Sequence, residues 1–175
     1  MQPLAFEFSS AEAFITTLRT GDRKVRLQAK KALVALDRLT ACANANWRAR
    51  VRFDGVGFFG FSFGGATAAE SSTVDPRVAA AANLDGWLFG RAAAGALEKP
   101  YMVIFTEDNI FPELRKLQSS DPRERYCATM MERDLREEVR LANRPGGFGF
   151  AFAIPIMKIF PIRSSAAAFS RRGCS

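Results

Sequence analysis

The 175-residue sequence contains no histidine. This absence excludes any mechanism in which an imidazole of this chain acts as a base, an acid or a metal ligand. No uninterrupted run of eighteen apolar residues occurs, which argues against a membrane-spanning helix. The N-terminus also lacks a basic region followed by a long apolar run, so no signal peptide is visible. We therefore expect a cytoplasmic chain, although a parent protein could be secreted.

Cysteine is scarce as well. Cys42, Cys127 and Cys174 are far apart in the sequence and odd in number. Their spacing matches neither a metal site nor a disulfide framework. We therefore expect reduced thiols and no bound metal.

The formal net charge of +7 is unevenly distributed. Residues 55–112 carry three basic and six acidic side chains, whereas residues 146–175 carry four basic and no acidic ones. Nucleic-acid-binding proteins usually cluster their basic groups on one face, beside a recognisable motif. Because the basic excess here lies at the two ends and no such motif accompanies it, we expect no nucleic-acid partner.

Hydrophobic periodicity predicts alternating helices and strands. Apolar residues at spacings of three and four predict a helix over residues 22–42, with a break and a cap at Gly21 and Asp22. A second long helix is predicted to begin at Asp121 and Pro122 and to bury one apolar stripe. That stripe is Met131, Leu135, Val139 and Ala142. The predicted buried strands are one that ends near Gly60, then residues 78–84, 101–106 and 148–154.

This alternation predicts the α/β class, with a parallel sheet covered by helices on both faces. We assign residues 1–155 to one domain of this class. Residues 156–175 have no clear period and no acidic side chain, so we assign them to an irregular basic tail.

One motif carries chemistry. Residues 60–64 read G-x-S-x-G, after a predicted strand and before a predicted small-residue helix. This is the context of a nucleophile elbow, in which a sharp turn exposes the Ser62 hydroxyl and glycines keep Cβ atoms out of the crowded turn. An overlapping G-x-G-x-x-G at residues 55–60 matches the dinucleotide fingerprint, but its glycines fall within the predicted strand rather than in a loop that opens a helix.

A serine hydrolase also needs an acid. Asp85 follows a buried strand, so it is expected at the carboxyl edge of the sheet beside the elbow. The same residue, before Gly86, is equally consistent with an ordinary turn. Glu107 and Asp108, after the next strand, are the alternative acids.

Three segments resemble the platelet-activating-factor acetylhydrolase family of α/β-hydrolases: GFFGFSFGGATAAE, DPRVAAAANLDGWLFG and KPYMVIFTED. The resemblance places Ser62 at the family's nucleophile and Asp85 at its acid. It implies hydrolysis of short or oxidised acyl esters, typically of phospholipids, with no cofactor. The backbone N–H of Phe63 would donate to the oxyanion. A phospholipid ester substrate also implies peripheral contact with a lipid surface.

The chain departs from the family pattern at three places. Phe61 stands where the family motif has histidine before the nucleophile. The family has several strands before the helix predicted at residues 22–42. The resemblance therefore implies that residues 1–155 form a partial α/β-hydrolase domain in which those N-terminal strands are missing. The position we align with the triad histidine is Ile159. Two alternatives therefore remain beside an impaired ester hydrolase: a catalytically inactive remnant of the fold and a basic surface-binding protein.

Overall fold

The computed structural model describes residues 6–106 and 114–152. Its centre is a sheet of four parallel strands in the order β1-β2-β3-β4. The fold is therefore of the α/β class, as the sequence predicts. Glu107, Asp108, Ile159, Cys174 and the predicted tail lie outside the described residues. The strands are β1 (Val56–Phe61), β2 (Val78–Leu84), β3 (Tyr101–Thr106) and β4 (Gly147–Phe152).

Five helices accompany these strands in the described ranges. The bounds of β2 and β3 agree with the prediction, and β1 ends one residue beyond Gly60. A 3₁₀ turn, Arg115–Gln118, precedes the last helix. The helices are α1 (Ala11–Cys42), α2 (Ala45–Arg48), α3 (Phe63–Val74), α4 (Gly90–Ala93) and α5 (Pro122–Ala142).

Helix α1 begins eleven residues before the predicted start at Asp22, so that prediction is wrong. The cap is Ser10, whose hydroxyl accepts a hydrogen bond of 3.1 Å from the backbone N–H of Ala13. Gly21 lies buried inside the helix because the ring of Phe89 packs on it, and an added Cβ would come within 2.2 Å of that ring. The glycine thus marks a close contact within the helix rather than its end.

Helix α5 begins as predicted. Asp121 is the N-cap, and its carboxylate accepts a hydrogen bond from the N–H of Arg123. The predicted apolar stripe is correct only in part, because the buried face also carries two carboxylates, which an apolar pattern cannot locate. Met131, Leu135 and Val139 are only partly buried. The buried residues are Ala128, Met130, Asp134, Glu138, Leu141 and Ala142.

The core lies on one face of the sheet. Helices α3 and α5 both pack there, on a row of side chains that includes Phe58, Ala81 and Tyr101 in register. On the opposite face, Phe59 and Phe148 lie in one register row and are 78% and 59% exposed. The expectation of helices on both faces is therefore met for one face only in residues 6–106 and 114–152.

Within these ranges, none of the helices is both long and apolar enough to cross a membrane.

Candidate active site

Ser62 occupies the sharp turn between β1 and α3. Its backbone has φ 53° and ψ −126°, a conformation that costs free energy for any residue with a Cβ. Two backbone hydrogen bonds hold the turn: the N–H of Ser62 donates to the carbonyl of Leu84, and the N–H of Gly65 donates to the carbonyl of Ser62, both at 2.9 Å. The turn leaves Ser62 exposed at the carboxyl edge of the sheet.

The glycines around Ser62 are not equivalent. A Cβ at Gly60 would lie 2.3 Å from the carbonyl carbon of Gly64, so this position requires glycine. A Cβ at Gly64 would meet nothing within 4 Å, whereas one at Gly65 would lie 1.9 Å from Oδ1 of Asn83. The motif predicts that a Cβ atom would not fit at either glycine. This is correct for Gly60 and wrong for Gly64, and Gly65 is the second position where a Cβ atom does not fit.

The overlapping dinucleotide fingerprint has the wrong context. Gly57 and Gly60 lie inside β1, paired in register with residues of β2. A phosphate-binding glycine loop has to follow a strand and open a helix, where backbone N–H groups are free to bind the anion.

Asp85 directly follows β2 and also has a positive φ, 53°. Its N–H donates to the carbonyl of Ile104 in the neighbouring strand at 2.6 Å. The next residue, Gly86, lies against the elbow, since an added Cβ would be 2.1 Å from the carbonyl oxygen of Ser62. The acid-bearing turn and the nucleophile elbow are therefore in direct backbone contact.

A cavity of about 390 Å³ joins these residues. It brings together all three residues that the sequence indicates, with Ser62 and Asp85 as its polar part and aromatic rings around them. The lining residues are Phe6, Ser62, Phe63, Asp85, Trp87 and Phe89.

Phe63 is the first residue of α3. The first four N–H groups of a helix have no acceptor within the helix, and the helix dipole places partial positive charge there. The backbone N–H of Phe63 is one of these four groups and lies next to Ser62 at the positive end of the helix dipole.

Sequence reasoning missed the aromatic wall of the cavity. The ring of Phe6 meets that of Trp87 edge to face with centroids 4.7 Å apart. The segment carrying Phe6 is held to α1, because the Thr17 hydroxyl donates to the carbonyl of Glu7 and accepts from the N–H of Glu7. Trp87 lies two residues after Asp85 in the segment DPRVAAAANLDGWLFG and could have been found there, whereas nothing in the sequence links Phe6 to Ser62.

Two buried carboxylates lie behind the acid-bearing turn, on α5. Burial raises the pKa of Asp134 to about 6, against the lowering effect of Arg133. Burial also raises the pKa of Glu138 well above its usual range, and the charge of Asp134 raises it further. These groups therefore bind protons more tightly than free carboxylates do.

Within the described residues, no group of three or more Cys, Asp or Glu side chains could hold a metal ion.

A scan of protein-family models found no match, and a search of curated proteins found none either. A search of solved structures matched a ferulic acid esterase from Streptomyces cinnamoneus, with 30% sequence identity and a TM-score of 0.46. The alignment covers 77% of this chain and 33% of the esterase, so the chain spans about a third of that protein's length. The resemblance to the platelet-activating-factor acetylhydrolase family stays a prediction.

Proposed function

We propose that this chain carries the nucleophile and the acid of a carboxylic-ester hydrolase that works through an acyl-serine intermediate. The observation that carries the proposal is the positive φ of Ser62 at a strand-to-helix turn, with Asp85 lining the same cavity. A strained conformation at an exposed serine is typical of a nucleophile elbow.

In this mechanism the Ser62 hydroxyl oxygen attacks the acyl carbonyl while a base takes its proton. The N–H of Phe63 donates to the resulting oxyanion, and the alcohol leaves with the proton that the base returns. Water then cleaves the acyl-serine by the same route. Asp85 would orient the base and stabilise its protonated form.

The histidine that acts as the base in this triad is not among the 175 residues. Triad residues act as a unit, so the loss of one removes most of the catalysis and leaves roughly 10³–10⁴-fold over water. The chain as given should therefore show only trace turnover. The same observation favours the second candidate, a catalytically inactive remnant of the fold.

We propose a substrate class that the resemblance and the lining of the cavity both support. The resemblance to the acetylhydrolase family implies short or oxidised acyl esters, including those of phospholipids. The aromatic side chains of Phe63, Trp87 and Phe89 suit an apolar acyl group because they surround Ser62 with apolar surface.

Added imidazole separates the two candidates. We expect imidazole to accelerate p-nitrophenyl acetate hydrolysis by the chain above the rate of imidazole alone, because the small base can enter the cavity that Ser62 and Asp85 line. The Ser62→Ala and Asp85→Asn variants should lose the acceleration, and the control Ser120→Ala, at an exposed serine, should keep it. Equal rates for the chain and its Ser62→Ala variant would leave the inactive remnant as the correct account.

A further inference from the structure

Helix α5 binds the turn after β2 through the backbone of Leu88. The N–H of Leu88 donates to Oδ2 of Asp134 at 3.0 Å, and its carbonyl accepts from the guanidinium of Arg133 at 2.7 Å. Two neighbouring residues of one helix therefore hold both polar groups of one turn residue. This fixes the turn at a point three residues beyond Asp85.

Asn83 makes a second link, on the other side of Asp85. Its side-chain amide donates to the carbonyl of Gly86 at 2.8 Å and to Oε1 of Glu138 at 3.0 Å. Asn83 is fully buried, and Glu138, one helical turn from Asp134, is 5% exposed. The turn is thus held before and after Asp85, and three of the side chains that hold it, Asn83, Asp134 and Glu138, are buried.

The amide of Asn83 also fills the space between the turn and the elbow. An added Cβ at Gly86 would lie 2.5 Å from Oδ1 of Asn83, and one at Gly65 would lie 1.9 Å from the same atom. The side chain therefore sets the separation between the first turn of α3 and the turn that carries Asp85.

Buried carboxylates are costly at these positions. Ionised side chains removed from water lose solvation that their partners restore only with good geometry, and an apolar side chain of similar size often stabilises a fold as well or better. Hydrogen bonds to a backbone turn, in contrast, fix a direction that apolar packing does not.

We propose that Asp134 and Glu138, together with Arg133, are positioning residues that act through Leu88 and Asn83. They hold the turn in the conformation that keeps Asp85 and Trp87 beside Ser62. None of the α5 residues lines the cavity. The meaning of this for catalysis rests on the proposed function, whereas the placement of the turn does not.

The test follows Trp87, one of the two tryptophans, in a Trp47→Phe background. Acrylamide quenching of its fluorescence reports how well the folded turn is held. We expect Glu138→Leu to raise the quenching constant about twofold at a temperature where far-UV circular dichroism shows the protein still folded. Glu138→Gln should keep the quenching constant of the Trp47→Phe background, since the new amide oxygen still accepts from Asn83. Glu132→Leu, at a more exposed position on the same helix, is the matched control and should change nothing.

Arg133→Met is the second variant, because the Arg133 side chain is a third exposed, whereas that of Glu138 is buried. It removes the partner of the Leu88 carbonyl and should raise the quenching constant in the same direction. Unchanged quenching in both folded variants, with only a lower melting temperature, would overturn the proposal. Should Glu138→Leu not fold, Arg133→Met and Glu138→Gln decide alone. Failure of the imidazole experiment would not alter this result, because the measurement needs no turnover.

Discussion

At the residue scale, two non-glycine residues of the described chain outside helices and strands, Ser62 and Asp85, share φ 53°. Such a conformation persists only where the surroundings over-determine it. Here the surroundings are backbone hydrogen bonds between neighbouring segments and the close approach of Gly65 and Gly86 to Asn83. The strained conformations of Ser62 and Asp85 are therefore maintained by the same set of contacts between the two turns.

Alanine substitutions at Gly64 and Gly65 form a matched pair that tests the packing of the elbow against Asn83. Gly65→Ala should destabilise the fold by about 3 kcal/mol or more, since its Cβ would overlap buried Asn83. Gly64→Ala should change stability by less than about 1 kcal/mol, because the space is open and alanine favours a helix. Urea unfolding of both variants measures the difference, and similar losses would argue against the packing described for the elbow.

Asp134 predicts an unusual pH dependence. Its pKa in the folded chain is about 6, against 3.8 for a free aspartate, so the folded state binds the proton first as pH falls. Stability must then rise as pH falls through 6, by about 1 kcal/mol between pH 7 and pH 5 from this group alone. Glu138, whose pKa is also raised by burial, acts in the same direction.

The Asp134→Asn variant should lose most of this gain when urea unfolding is measured at pH 7, 6 and 5. Glu132→Gln, at a more exposed position, is the control and should keep it. The range stops at pH 5 because Asp75, whose pKa is lowered by its hydrogen bond to Arg77, opposes the trend in stronger acid. A stability that falls from pH 7 to pH 5 would contradict the burial of Asp134.

At the element scale, the sequence predicts those helix and strand boundaries that depend on residues close together in the chain. Strands β2 and β3 were found because continuous apolar runs mark parallel strands, and the start of α5 because Asp121 and Pro122 act through their own backbone. The start of α1 is not predicted correctly, because Gly21 suggests a break in the helix. Its actual role is to make room for the ring of Phe89, which is distant in sequence.

The same limit applies to the site. Ser62, Phe63 and Asp85 follow from motifs, since each motif is a contiguous segment with a fixed geometry. Phe6 reaches the cavity through the tertiary packing of α1, and the carboxylates of α5 reach the turn through the packing of a helix on the sheet. Hydrophobic periodicity within one element does not show which distant residues that element will contact.

Gly21, inside α1, gives a testable prediction about the packing of this helix. Gly21→Ala improves helix propensity by about 1 kcal/mol, yet we expect a net loss of stability because the new methyl group overlaps the buried ring of Phe89. Lys30→Ala, at an exposed position of the same helix, is the control and should be neutral or stabilising. Thermal unfolding compares the two, and a more stable Gly21→Ala variant would show that α1 does not lie against Phe89.

At the scale of the whole molecule, the prominent feature is the sheet face that no helix covers in the part of the chain that the structure describes. Phe59, Phe61 and Phe148 are exposed there, and β1 lies at the edge of the sheet that the described residues form. Exposed apolar patches and unpaired strand edges favour association. We expect the chain to self-associate as its concentration rises.

Phe59→Thr combined with Phe148→Thr should reduce this association while leaving the free energy of unfolding nearly unchanged. Threonine keeps the strand propensity, and neither phenylalanine packs in the core. Sedimentation velocity over a range of concentrations measures the effect. A wild-type chain that stays monomeric at high concentration would contradict the expected role of this face.

The central claim is that Ser62 is the nucleophile of an ester hydrolase site. Its most direct test is peptide mass mapping after incubation with p-nitrophenyl acetate and imidazole, followed by removal of both. Imidazole supplies the base for acylation, and after its removal deacylation is slow enough for the acyl-serine to be mapped. The account predicts an acetyl group on Ser62 in large excess over the exposed Ser120, and its loss from Ser62 to water over time. Acetylation of Ser62 no faster than that of Ser120 would contradict it.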